Sequence, residues 1–216
     1  MQSSSRKLWS VVLGGVLLIS LASTGVPASS AFPLIEHYDV VIYGGSPSAV
    51  AAAVEVSRAG RSAIVISERP TVGGAISNGL GAPDIRGRFS ITGFAKSFFQ
   101  SVHRHYKSVR MWKVEPHVAE DIFRRMLKRA KVKVVTNAPL DSVIVRKDRL
   151  ECIIVTSARQ FCGQMFIDAS YTNDLANAAK LPTTLGPSDL YAFNEPEAQN
   201  RHYAPVGHYH QFSKGV

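Results

Sequence analysis

The chain has 216 residues, 45% of them hydrophobic, which suits one ordinary domain with a small appendage. Its 25 Lys and Arg against 16 Asp and Glu give a formal charge of +9. The one dense basic run, residues 124–133, has helical spacing and no interleaved aromatics, so it reads as a solvated helix face and not as a nucleic-acid patch.

In chain order, residues 1–31 have the layout of a secretory signal. Arg6 and Lys7 are the positive start, residues 8–22 the apolar core, and residues 26–28 and 29–31 the small-residue cleavage sites. The apolar core is shorter than the ~20 residues of a spanning helix and holds Gly14, Gly15 and Ser20. Cleavage is expected, with a secreted or periplasmic product and no stable membrane span. Residues 32–37 are a linker.

Tyr38 to Tyr43 follow, with β-branched Val40, Val41 and Ile42 continuous, as in a parallel strand covered on both faces. Gly44 and Gly45 turn the chain sharply, and from Ser48 an alanine-rich helix runs to Arg58 and stops at Gly60. A helix start after such a turn offers free N–H groups and a positive dipole end to a pyrophosphate. Gly44-x-Ser46-x-x-Ala49 is a variant of the dinucleotide fingerprint G-x-G-x-x-G/A. Ser46 stands where the second glycine usually sits, and its small hydroxyl side chain can itself bond a phosphate oxygen. A second apolar run, residues 62–67, ends at Glu68, 24 residues after Gly44 and near the ~20 expected for the acid that takes ribose hydroxyls. The alternative is a βαβ crossover that binds no nucleotide.

After Glu68, Arg69 and Pro70 comes the glycine-rich stretch 71–81, with Gly73, Gly74, Gly79 and Gly81. It reads as a floor for a flat cofactor, with backbone N–H groups available, or as a flexible loop. Residues 91–106 have helical periodicity, with Phe94, Phe98, Val102 and Tyr106 on one face for core packing. His103 and His105 are expected at the surface. Pro116 opens a third helix with Val118, Ile122, Met126 and Leu127 as its apolar stripe. Residues 132–136 are a third parallel strand.

From Leu140 the pattern becomes short strands and turns: 141–145, 150–156 and 161–169, a β-meander attached to a parallel sheet. Cys152 and Cys162 lie on two of these runs, where they are either bridged or two buried thiols. They form neither a redox C-x-x-C nor a metal set. Residues 194–216 show no regular element, and the spacing of His202, His208 and His210 matches no established metal set, so no metal is expected.

With these segments in place the chain resembles the FAD-dependent oxidoreductases of glutathione-reductase-like fold, and most of all the bacterial group called simply FAD-dependent oxidoreductase. The residues that carry it are Tyr38 to Ala49, then Glu68 with Gly73 and Gly74, then Glu115 to Glu120, then Phe166 to Tyr171 with Asp174 and Leu175. The resemblance implies an α/β fold: a Rossmann-like parallel sheet of FAD/NAD(P)-binding topology with the meander attached. It implies an FAD-binding domain over residues 32–180, followed by an irregular tail at 181–216 that could begin a substrate domain. FAD is the implied cofactor. Gly44, Gly45, Ser46, Pro47, Ser48 and Ala49 would hold its pyrophosphate. Glu68, with Arg69 beside it, would hold the adenosine ribose, and Gly73 and Gly74 would lie along the flavin side. The strand at 140–143, with Val143 as its site residue, would pass near the adenine. Asp168 and Ala169 would close the nucleotide core from below.

Ser46 and Ala49 replace family glycines, and family members continue further, with a substrate domain and a second FAD segment. The expected function is hydride transfer between an organic substrate and FAD in a truncated form that lacks a partner chain or domain. The alternative is a nucleotide-binding remnant or interaction protein without turnover. A plain NAD domain is disfavoured, because it would continue with βα units where this chain has a meander. The absence of a C-x-x-x-x-C pair excludes a disulfide-reductase mechanism. Asp84, His103, His105, His117 and Tyr171 are the conceivable proton acceptors, each better read as structural or surface.

Overall fold

The computed structural model describes residues 34–83, 91–108 and 112–183. Strand β1, Ile35–Tyr43, leads through the glycine turn into helix α1, Pro47–Arg58, and then into β2, Ala63–Ile66. A 3-10 turn at Gly74–Asn78 precedes α2, Gly93–Tyr106, and α3, Pro116–Arg129. Strand β3, Lys133–Val135, is followed by β4, Leu140–Arg146, β5, Arg149–Val155, and β6, Gln160–Asp168. Helix α4, Asp174–Ala178, comes last among the described elements. The expected signal at 1–31, Asp84 and the tail from residue 184 lie outside the described residues.

The six strands form one sheet in the order β3-β2-β1-β6-β5-β4. The first four are parallel, and β4, β5 and β6 are joined by antiparallel pairs. The α/β class, the parallel sheet and the meander are as expected. One difference matters for the site. The last meander strand is also the fourth parallel strand, paired with β1 from Ile35 to Tyr43. That long pairing explains why β1 begins at Ile35 and not at Tyr38: Ile35 to Tyr38 have partners on β6, while β2 reaches only Val40 to Tyr43. It also puts β1 between two strands reached by chain leaving in opposite directions. Such a switch of direction opens a crevice at the carboxyl ends of the strands.

The alternation of β1 and β2 builds two cores. Val40, Ile42 and Val65 face α1, α2 and α3, where Phe98 stacks on Phe123 at 4.4 Å between ring centres. Val41, Tyr43, Ile64 and Ile66 face the other side, with Ile153, Val155, Phe161 and Leu175. Small residues on α1, Ala49 and Ala53, are fully buried and let that helix lie close to the sheet. The expected apolar faces of α2 and α3 are present, with Phe99 and Phe123 added to them. His103 differs from expectation. It is half-buried, its ring 5.3 Å from that of Trp112. His105 and His117 are exposed.

The two cysteines are opposite one another on β5 and β6 and form a disulfide. Among the described residues no helix is long and apolar enough to cross a membrane.

Candidate functional site: the crevice at the end of the first strand

The turn after β1 is held from three sides. Gly44 donates its N–H to the Ile66 carbonyl at 2.8 Å and has φ +111°. A Cβ there would overlap the backbone of Ala169 and Ser170. Gly45 faces the opposite wall, where a Cβ would overlap the Ser67 hydroxyl. Ser67 is fully buried and donates to the Thr71 carbonyl at 3.0 Å. In the sequence Ser67 shows only as a small polar residue closing an apolar strand. Both glycines are therefore required by packing as well as by the turn.

Ser46 is the N-cap of α1, and Pro47 takes the first helical position, where a missing N–H costs nothing. The Ser46 hydroxyl accepts the Ala49 N–H at 3.3 Å and lies 2.7 Å from the Ser48 hydroxyl. The residue in the second-glycine position thus turns its hydroxyl toward the helix it caps. Ala49 is buried against the sheet. The N–H groups of Gly45, Ser46 and Ser48 have no acceptor among the described residues. Three donors at a helix start, next to a backbone free of large side chains, form an anion cradle.

Glu68 sits just beyond β2. Its Oε2 atom is buried and has no hydrogen-bond partner among the described residues. Its Oε1 atom lies 3.6 Å from Nε of Arg69, a mostly exposed side chain. Glu68, Tyr43, Pro139, Leu140 and Asp141 line an open hollow of about 540 Å³. Tyr43 accepts the Leu140 N–H at 2.7 Å through its hydroxyl. Burial raises its pKa, as do the carboxylates of Glu68, Asp174 and Asp168, against the opposing pull of the Leu140 bond. Val143 is not at this hollow. It packs on the second core, and Pro139 to Asp141 stand beside Glu68 instead.

Gly73 and Gly74 approach the turn from the other side. Both donate to the Gly45 carbonyl, at 2.7 and 3.0 Å, so these two N–H groups are already bonded, unlike the open donors expected from the sequence. Gly73 packs on Phe123, and Gly74 lies against Tyr171 and Pro47. Asp168 binds its own loop: Oδ1 accepts from the Ser170 N–H and hydroxyl, and Oδ2 accepts the Ala176 N–H at 2.9 Å. Ala169 donates to the Tyr43 carbonyl at 2.7 Å. This pair locks β6 and α4 against the turn. Glu115 takes the Tyr106 hydroxyl at 2.8 Å on Oε2, which joins α2 to α3 and gives that motif a structural role.

Gly44 to Ala49, Gly73, Gly74, Asp168 and Ala169 therefore gather around one turn. Glu68 opens a hollow beside the ends of β1 and β2, Arg69 points outward, and Val143 stands apart.

Solved structures share this fold. The L-proline dehydrogenase from P. horikoshii superposes with a TM-score of 0.53 at 13% identity, over 70% of this chain and 58% of that one. A geranylgeranyl bacteriochlorophyll reductase-like protein from Thermoplasma acidophilum gives 0.51 at 14%, over 71% and 44%. The chain thus spans 58% and 44% of the lengths of these two proteins. No curated protein sequence matches it. Residues 39–215 match the family described as FAD dependent oxidoreductase, a match that includes the glycine turn, Glu68 and the Asp168 loop. The chain belongs to the FAD dependent oxidoreductase family, whose cofactor is FAD.

Proposed function

We propose that this chain binds FAD at the crevice and serves an oxidoreductase that moves a hydride between an organic substrate and the cofactor. The observation that carries the reading is the pair of unsatisfied groups flanking the ends of β1 and β2. On one side are the N–H groups of Gly45, Ser46 and Ser48, without acceptors among the described residues. On the other is the buried Oε2 of Glu68, unpartnered among the described residues. Donors in need of an anion, near an acceptor in need of a hydroxyl, fit the pyrophosphate and ribose of one dinucleotide.

In this reading the three N–H groups bind the pyrophosphate, and the positive end of α1 adds to their pull. Glu68 accepts from the ribose. Pro139 to Asp141 line the adenine side, in place of Val143. Gly73 and Gly74 shape the opposite wall through their bonds to Gly45 and do not donate to the ligand. Asp168 and Ala169 hold the turn closed. FAD itself supplies the hydride chemistry, and the protein supplies binding and orientation. No general base is assigned among the described residues.

Export is part of the proposal. Residues 1–31 carry the signal layout, and the Cys152–Cys162 bridge suits an oxidising compartment. N-terminal sequencing of the exported product checks this: a start near Phe32 supports it, and an intact Met1 in a cytoplasmic product overturns it.

The cofactor test is the absorbance spectrum of the purified protein after FAD is added and the excess removed. Flavin bands that stay with the protein support the reading. A folded, colourless protein sinks it and leaves the non-catalytic remnant as the better description.

A further inference from the structure

The loop after β6 begins in backbone contact with the glycine turn, since a Cβ on Gly44 would overlap Ala169 and Ser170. From that fixed point Tyr171 reaches to the start of the Gly74–Asn78 turn. Its hydroxyl accepts the Ala75 N–H at 2.9 Å. A Cβ on Gly74 would overlap this same oxygen, and would lie 3.0 Å from Cδ of Pro47. Phenol, Gly74 and the first residue of α1 therefore meet at one point, next to the N–H groups of Ser46 and Ser48, which have no acceptor among the described residues. Yet Tyr171 is 63% exposed, so little packing holds its ring there.

We infer that Tyr171 is a strap across the pyrophosphate cradle, and that a dinucleotide seats on the turn only when the phenol leaves the Ala75 N–H. The inference rests on the FAD reading above. The position is crowded: at φ +52° Gly74 has no side chain, and the space beside it already holds the phenol. A ligand running from the α1 start along Gly73 and Gly74 must cross that space. Release gives up one neutral hydrogen bond, whose net worth corresponds to a factor of roughly 2 to 13 in an equilibrium constant. The strap therefore weakens and slows loading without forbidding it.

The test is a fluorescence titration of the full chain with FAD, for the wild type, Tyr171→Phe and Tyr171→Ala. Tyr171→Phe removes the bond to Ala75, and Tyr171→Ala removes the ring as well. Because the residue is exposed, both variants keep the fold. The expected result is FAD bound about threefold tighter by Tyr171→Phe and at least as tightly again by Tyr171→Ala, with faster association. FAD taken up by Tyr171→Ala and not by the wild type supports the strap still more strongly. Affinity unchanged or weakened in both variants overturns it and leaves the FAD reading standing. Failure of all three proteins to bind FAD overturns the FAD reading, and the strap with it. Hydrogen exchange of the Ala75 amide gives a readout free of the cofactor. Exchange must quicken in Tyr171→Phe, and an unchanged rate overturns the strap whatever FAD does.

Discussion

Gly44 and Ala169 are in contact through their backbones, with no room for a side chain between them. The Ala169 N–H also bonds the carbonyl of Tyr43, the residue before Gly44. The glycine of the fingerprint is thus a packing requirement of β1 against β6 before it is a ligand requirement. Gly44→Val places a branched side chain at φ +111° and into the Ala169 carbonyl. Strain at such a position costs about 1–3 kcal/mol, and the overlap adds to it. We expect the melting temperature to fall by roughly 5–12 °C in calorimetry. Loss of FAD in this variant then reports a damaged fold. A melt within 1 °C of wild type would contradict the packing claim.

Glu68 gives the cleaner probe of binding. Its Oε2 has no partner among the described residues and its Oε1 faces only the mostly exposed Arg69, so Glu68→Ala strands no buried donor there. Stability should fall by no more than about 0.5 kcal/mol, because the change removes a half-buried acceptor that no described donor satisfies and not a bonded one. Binding should suffer, because a hydrogen bond to a charged group is worth about 1.5–3 kcal/mol. The FAD dissociation constant is expected to rise roughly 10- to 100-fold in a fluorescence titration. An unchanged constant removes Glu68 from the site.

The parts of the site legible in the sequence are those fixed by local chemistry. Val40 to Ile42 with Gly44 and Gly45 announce strand and turn, and Pro47 with the following alanines announces a helix that packs closely. Glu68 follows from chain spacing alone. What stayed hidden depends on contacts between distant segments. Gly73 and Gly74 look like free donors until the Gly45 carbonyl is placed 2.7 and 3.0 Å away. Residues 160–168 read as one more meander strand, because nothing local says that they pair in parallel with a strand more than a hundred residues earlier. Val143 and Leu140 are both apolar residues of one short strand, and only the strand's path sends Leu140 and not Val143 to the Glu68 hollow.

The cross-strand disulfide ties β5 to β6, and β6 carries the loop that closes the glycine turn. Cys152 and Cys162 are 10 residues apart. Closing a loop of that size in the unfolded chain is worth about 3 kcal/mol by the chain-entropy relation. Cys162→Ser, or reduction of the wild type, should lower the melting temperature by roughly 6–12 °C. Equal melts with and without reductant would show that the bridge is not formed or not stabilising.

Acid sensitivity should arise mainly at Glu36, on β1 at the end of the sheet away from the crevice. Burial pushes its pKa up, but hydrogen bonds from Lys133 at 2.5 Å, Arg159 at 2.7 Å and Tyr38 at 2.8 Å outweigh burial and hold it at about 2, against an ordinary 4.5. A folded-state pKa below the unfolded one gives stability that is complete above pH 4.5 and is lost as pH falls from 4.5 toward 2. Lys133 is about half exposed, so solvent screening limits the contribution to the order of 1 kcal/mol. Glu36→Gln should therefore melt roughly 2–4 °C lower than wild type at pH 7. The gap should close as both proteins are brought to pH 2, because the wild type loses there what the variant never had. A gap that persists at pH 2 would assign the cost to packing and take the carboxylate out of the acid response.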